Sequence, residues 1–262
     1  MIADLLLQTS PHQIISGCGL FLILRLFNLN QMEFFMTNAT QKKKFDLHLL
    51  VECAIMVALA TVLSLIKVYE APFGGSVTLV SMLPVVLAAY MFGTKWGLFS
   101  AFVYSLLQML TGMDTVTAFF MPGDSQMALG AALCVCLIDY VLAYTMLGFG
   151  GIFKGKFKNG ASELVLGVVV ALALRYLMHI ISGAIFFGAW ADWFFGDSTG
   201  LTQVAAFKGF CTWVLSTFKG ASLSVVYSIV YNGCYMIPEM IITVIVAPII
   251  YKVLEKSGNK YL

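Results

Sequence analysis

Six stretches of this chain run apolar for about the length that a helix needs to cross a bilayer. They are Leu47 to Ile66, Val77 to Phe92, Trp96 to Leu110, Met127 to Phe149, Leu164 to Phe187 and Val225 to Tyr251. A hydrocarbon core of roughly 30 Å takes about 20 residues of helix, and peptide groups inside it must be satisfied within the segment. The second and third stretches are short for this task. A closed β-barrel also satisfies its backbone in lipid, but its strands alternate apolar and polar residues, and nothing here alternates that way. Breakers fall where the runs end: Pro72, Gly74 and Gly75, then Gly93, Gly112, Pro122 and Gly123, then Gly150, Gly151 and Gly155. With 60% hydrophobic and 11% charged residues and a mean hydropathy of +0.92, the chain is far poorer in charge than a soluble domain. The expected fold is an all-α polytopic membrane protein, a bundle of six transmembrane helices.

The lysines set the expected orientation, because short loops rich in Lys and Arg stay cytoplasmic. Lys42, Lys43 and Lys44 precede the first stretch, Lys95 follows the second, Lys154, Lys156 and Lys158 follow the fourth, and Lys252, Lys256 and Lys260 follow the last. The opposite side sets Lys67, Lys208 and Lys219 against Glu70, Asp114, Asp124, Asp192 and Asp197, a net acidic balance. Both termini are therefore expected in the cytoplasm, in a bacterial plasma membrane. A formal net charge of +2, already explained by topology, implies no nucleic-acid partner.

Residues 1–44 read as an N-terminal extension. The apolar run Ile14 to Leu29 within them is broken by Gly17, Gly19, Arg25 and Asn28, and Met36 offers itself as an alternative start. The membrane domain then spans 45–262, with an extracellular insertion at about 191–223 in which Thr202 to Phe218 suits an amphipathic helix anchored by Phe210 and Trp213. Five of the six cysteines fall in apolar stretches and read as buried thiols. Cys134 and Cys136 lie on different sides of a helix and do not chelate one metal together.

An ionisable side chain inside a span costs about 2.5 to 3.5 kcal/mol on insertion scales, so each one points to a role. Asp139 lies midway along the fourth stretch, Arg175 and His179 share a face of the fifth, and Glu239 lies in the sixth. One reading is a structural ion pair between Arg175 and Asp139. The other takes in their company: Tyr140, Tyr176, Trp190, Tyr227, Tyr231, Asn232 and Tyr235. Together these suit an organic cation with a heteroaromatic ring. A carboxylate supplies the counter-charge, aromatic faces stabilise the cation, and amide or hydroxyl groups read ring nitrogens. Singly, each tyrosine reads equally as an interfacial anchor.

Common hydrolase signatures are absent. The Gly150 to Lys156 segment resembles a phosphate-binding loop only until Phe157, which stands where Ser or Thr is needed. No enzyme, cofactor or metal site is expected, and the chain has no ATPase of its own. Small residues at Ala54 and Ala58 give the first helix a closely packing face, turned either inward or toward a partner helix.

Taken in order, the segments Ala54-x-x-x-Ala58, Lys95-Trp96-Gly97-Leu98-Phe99-Ser100, Asp139-Tyr140, Arg175-Tyr176-x-x-His179-x-x-Ser182-Gly183 and Tyr227-x-x-x-Tyr231-Asn232-Gly233 span roughly residues 47 to 251. Through them the chain resembles the substrate-binding S component of energy-coupling factor vitamin transporters, in their thiamine-specific branch. The resemblance implies a high-affinity thiamine receptor that docks on a transmembrane coupling protein driven by two cytoplasmic ATPase subunits. Ala54 and Ala58 would face that coupling protein. Asp139, Tyr140, His179, Tyr227 and Asn232 would meet the thiamine, and Phe73 would act as a lid. The family pattern carries Glu where this chain has Asp139, and Trp where it has Phe187, with Trp190 three residues on. An S component for another vitamin or a thiamine precursor remains an alternative. So does a self-sufficient transporter relaying protons through Asp139, His179 and Glu239.

Overall fold

The computed structural model describes residues 46–71, 74–123, 125–196 and 200–262. The extension 1–44, the Met36 start and Phe73 lie outside the described residues. Each of the six apolar stretches contributes a helix, and four of these are long and apolar enough to cross a membrane.

Helix α1 (Leu47–Ser64) buries Cys53, Val57, Ala60 and Ser64, a single face at helical spacing. Ala54 and Ala58 lie on the opposite, exposed face, among Val51, Ile55, Leu59 and Val62. Of the two readings of this pair, inward packing is therefore not the one the fold adopts.

The stretch Val77 to Phe92 departs from expectation. It begins as strand β2 (Ser76–Thr78), which pairs antiparallel with β1 (Lys67–Glu70), and only from Leu83 to Phe92 does it form helix α2. Ten residues reach about 15 Å, half a bilayer core. Pro84 sits in the first turn of α2, and every residue from Leu83 to Met91 is buried. An apolar sequence this uniform is what a short helix enclosed on all sides requires. The hairpin is fastened to the bundle by buried Glu239. One of its oxygens accepts from the Thr78 backbone N–H at 2.6 Å and the other from the Thr78 hydroxyl at 2.8 Å.

Helix α3 (Thr94–Thr111) leads into a short α4 (Met113–Ala118). The next span, α5 (Leu129–Gly151), is not uniform. It winds as α-helix to Val135, as π-helix from Cys136 to Leu142, briefly as α-helix again, and as a 3-10 helix from Met146 to Gly151. Where α3 packs on α2, a Cβ on Gly97 would come within 2.3 Å of the Ala89 Cβ, and where α3 crosses α5, one on Gly148 would come within 2.5 Å of the Leu98 Cα. Backbone contact of this kind is how small residues hold helices together in lipid.

Helix α6 (Gly160–Phe186) is capped by Asn159, whose side chain accepts from the Ala161 N–H at 3.0 Å. Its partner is α9 (Ala221–Lys256), 36 residues long with Pro238 and Pro248 inside it. Between them, a 3-10 turn (Gly188–Trp190), α7 (Ala191–Phe195), two further 3-10 turns and α8 (Lys208–Thr217) form a cap on the hairpin end. Thr202 to Phe218 is thus helical as α8 only from Lys208. That helix is amphipathic, with Cys211 and Val214 buried and Trp213 exposed. Among the cysteines, Cys53 and Cys211 are buried, Cys134 and Cys136 partly so, while Cys234 is exposed.

At the other end, Lys154 donates to the Met91 carbonyl at 3.0 Å and to that of Tyr261, whose ring packs edge-on against Phe92 at 5.0 Å. Desolvation draws the Lys154 ammonium below the ordinary lysine value, and Glu163 opposes the shift. The chain's last residues are thereby folded back onto the lysine-rich end of the bundle.

Candidate functional site

Between α5, α6 and α9, beneath the hairpin, lies a cavity whose empty space, open mouth included, is about 660 Å³. The π-helical turn of α5 supplies Asp139 and Tyr140, and Tyr144 follows from the next turn. Single π-turns inside α-helices recur at functional sites because they displace side chains from the regular helical stripe.

Asp139 is held from α6. One carboxylate oxygen lies 3.0 Å from His179 Nδ1, and the other accepts from the Ser182 hydroxyl at 2.8 Å. The Asp139 side chain keeps 18% of its surface open, while His179 is buried. His179 Nε2 has no hydrogen-bond partner among the described residues. A buried polar nitrogen left this way costs about 1 to 3 kcal/mol, unless a ligand or water completes it.

Arg175 does not pair with Asp139. Its guanidinium stacks over the Tyr144 ring, 4.1 Å from the centroid, and Nη1 approaches the Met82 sulfur at 2.8 Å, leaving Nε unpartnered among the described residues. The ion pair read from the sequence is thus replaced by a cation–aromatic stack and a separate His179–Asp139 pair. Glu239 is engaged by Thr78 and is not part of the cavity lining.

The α9 wall carries Tyr227, Tyr231, Asn232 and Tyr235. Asn232 is fixed by three bonds from its amide nitrogen: to the His179 carbonyl at 3.3 Å, the Ser228 carbonyl at 2.9 Å and the Ser228 hydroxyl at 3.1 Å. The Tyr235 hydroxyl donates to the Asn232 side-chain oxygen. Tyr231 reaches across to the Gly74 carbonyl at 3.0 Å, so the hairpin turn rests on this wall. Gly75 is required twice over. Its φ of +85° lies in the left-handed region, and a Cβ there would meet the Tyr235 ring at 2.4 Å.

The residues expected from the sequence therefore separate cleanly. Asp139, Tyr140, Arg175, His179, Phe187, Tyr227, Tyr231 and Asn232 line one cavity. Trp190 lines a second, neighbouring cavity instead, and Ala54 and Ala58 face away from both. Sequence reasoning missed Tyr144, Thr115 and Phe119. Tyr144 follows Tyr140 by four residues, a spacing that signals a shared face, whereas Thr115 and Phe119 arrive on a short helix with no periodic signal of its own.

Comparison with known proteins agrees with this architecture. A family model described as thiamine transporter protein matches residues 50–194. The thiamine transporter ThiT of Bacillus subtilis strain 168 is 30% identical over 213 residues, covering 77% of this chain and 89% of that protein. A solved structure of ThiT from Listeria monocytogenes superposes with a TM-score of 0.53 at 26% identity, covering 82% of this chain and 97% of that one. With more than half its length inside the family match and nearly the whole of a curated relative aligned, this multi-pass membrane chain belongs to the thiamine transporter protein family.

Proposed function

We propose that the chain is the membrane-embedded, high-affinity thiamine-binding subunit of an energy-coupling factor type ABC transporter for vitamin uptake. The observation that carries this reading is the convergence of the Asp139 carboxylate, the tyrosines of α9 and Asn232 on one cavity. Thiamine joins a permanently charged thiazolium to an aminopyrimidine. In this reading the thiazolium lies against Asp139 and the tyrosine faces, which favour a cation through their quadrupoles. The pyrimidine is read by Asn232, and the unpartnered N–H of Arg175 and Nε2 of His179 complete its polar edge. Tyr140 and Phe187 close the sides of the cavity.

The lysine-rich end faces the cytoplasm of a bacterial plasma membrane, with both termini there, and the hairpin end opens outward. Energy comes from other chains, a transmembrane coupling protein and two cytoplasmic ATPases. The exposed Ala54 and Ala58 on α1 give the coupling protein its docking face.

Titration of the detergent-purified protein with thiamine by calorimetry tests the binding reading. Saturable one-site binding that thiamine precursors fail to compete is expected, and absence of heat or preferential binding of a precursor overturns it. Uptake of thiamine into vesicles holding this chain alone would replace the ATPase-driven reading with the proton-coupled one.

A further inference from the structure

Beside the first cavity lies a second, of about 1010 Å³ with its mouth. The two share Gly74, Thr115, Phe119 and Phe187 in their linings. Phe119 and Phe187 meet edge to face with centroids 5.8 Å apart. Since both rings line both spaces, they form a party wall between them. Beyond that wall the second cavity repeats the chemistry of the first: the Asp114 carboxylate, the ring of Trp190, and the polar side chains of Gln126 and Ser125. Asp114 and Gln126 are exposed, whereas Asp139 is half-buried and His179 buried. No hydrogen bond or ion pair holds the Asp114 carboxylate among the described residues. A charge at an open mouth, followed by an aromatic partition and then a desolvated charge, is an arrangement that captures a cation before it is stripped of water.

We propose that the second cavity is an outer capture site for an aromatic organic cation, occupied on the way to the inner pocket and separated from it by the Phe119–Phe187 pair. The inference rests on the thiamine-binding reading and deepens it. Asp114 attracts the cation and Trp190 receives its ring. The ligand then passes when the two phenylalanine rings part. Asp114 stabilises the route and not the destination, so it speeds entry and exit alike. By microscopic reversibility its removal slows both steps and leaves the final affinity unchanged. Trp190 thereby acquires a place in recognition outside the inner pocket.

Rapid-mixing kinetics of thiamine binding to the full-length protein and to Asp114→Asn test this, at low and high salt. Expected are association and dissociation rate constants that each fall by about tenfold at low salt, an equilibrium constant within about twofold of the parent, and a weaker salt dependence of association. Rate constants equal to those of the parent overturn the capture site. So does a dissociation constant that rises through faster release alone, because Asp114 then belongs to the final site. If the parent protein binds no thiamine, the thiamine-binding reading itself fails and takes the capture site with it. Gln126→Ala, a second exposed variant in the same lining, is expected to slow both steps to a smaller degree.

Discussion

Asp139 is positioned from two sides before any ligand arrives. His179 takes one carboxylate oxygen and Ser182 the other, so no side-chain reorganisation is needed when a cation approaches. Asp139→Asn keeps the shape but removes the charge, and is expected to weaken thiamine binding by about 1.5 to 3 kcal/mol in calorimetry, the range of a charged hydrogen bond. Unchanged affinity would remove Asp139 from the site. This residue and His179 were legible in the sequence because an ionisable group in an apolar run is an exception that demands a partner. Which partner it takes was not legible. Arg175 and His179 stand one turn apart on the same face of α6, and the choice between them is decided by Tyr144 and Met82, which draw the guanidinium away. Aromatic residues were legible as a set but not singly, since a tyrosine in an apolar helix is ordinary and its direction depends on neighbouring helices.

Among the elements, the cap between α6 and α9 bears on the pocket without entering it. Phe194 of α7 meets the rings of Tyr227 and Tyr231 edge-on, at centroid distances of 5.4 and 5.7 Å, from behind the cavity wall. An aromatic contact of this kind is worth about 0.5 to 1.5 kcal/mol beyond its burial. Phe194→Ala is expected to lower thiamine affinity by an amount in that range through faster dissociation, while Phe194→Leu keeps most of it. Equal dissociation rates in parent and Phe194→Ala would show the cap to be indifferent to the pocket. Within the cap, α8 was legible from its amphipathic pattern, whereas α7 and the 3-10 turns are too short to show a period. The hairpin was hidden for a different reason. Apart from Thr78 and Ser81, Val77 to Phe92 is apolar, and a strand, a turn and a buried short helix satisfy that pattern as well as one span does. The long helices α6 and α9 were legible, since length and sustained apolarity leave few alternatives. The π-turn of α5, which sets Asp139 and Tyr140 into the cavity, leaves no mark in the residue pattern.

For the molecule as a whole, separable faces are the main consequence of the fold. Eight of the residues singled out in the sequence line one cavity at the hairpin end, while Ala54 and Ala58 lie exposed on α1. If the chain docks as proposed, Ala54→Leu with Ala58→Leu abolishes co-purification of a coupling protein and ATPases in mild detergent, with thiamine affinity unchanged. Retained co-purification would place the docking face elsewhere. Helix α9 adds a mechanical property. Its 36 residues make a rod of about 54 Å, well over the roughly 30 Å of the hydrocarbon core, with the tyrosine wall in its first half and Lys256 in its last turn. A lean of about 5° sweeps the far end of such a rod through roughly 5 Å. Only Pro238 and Pro248, each lacking the N–H that would brace the preceding turn, offer places for that lever to give.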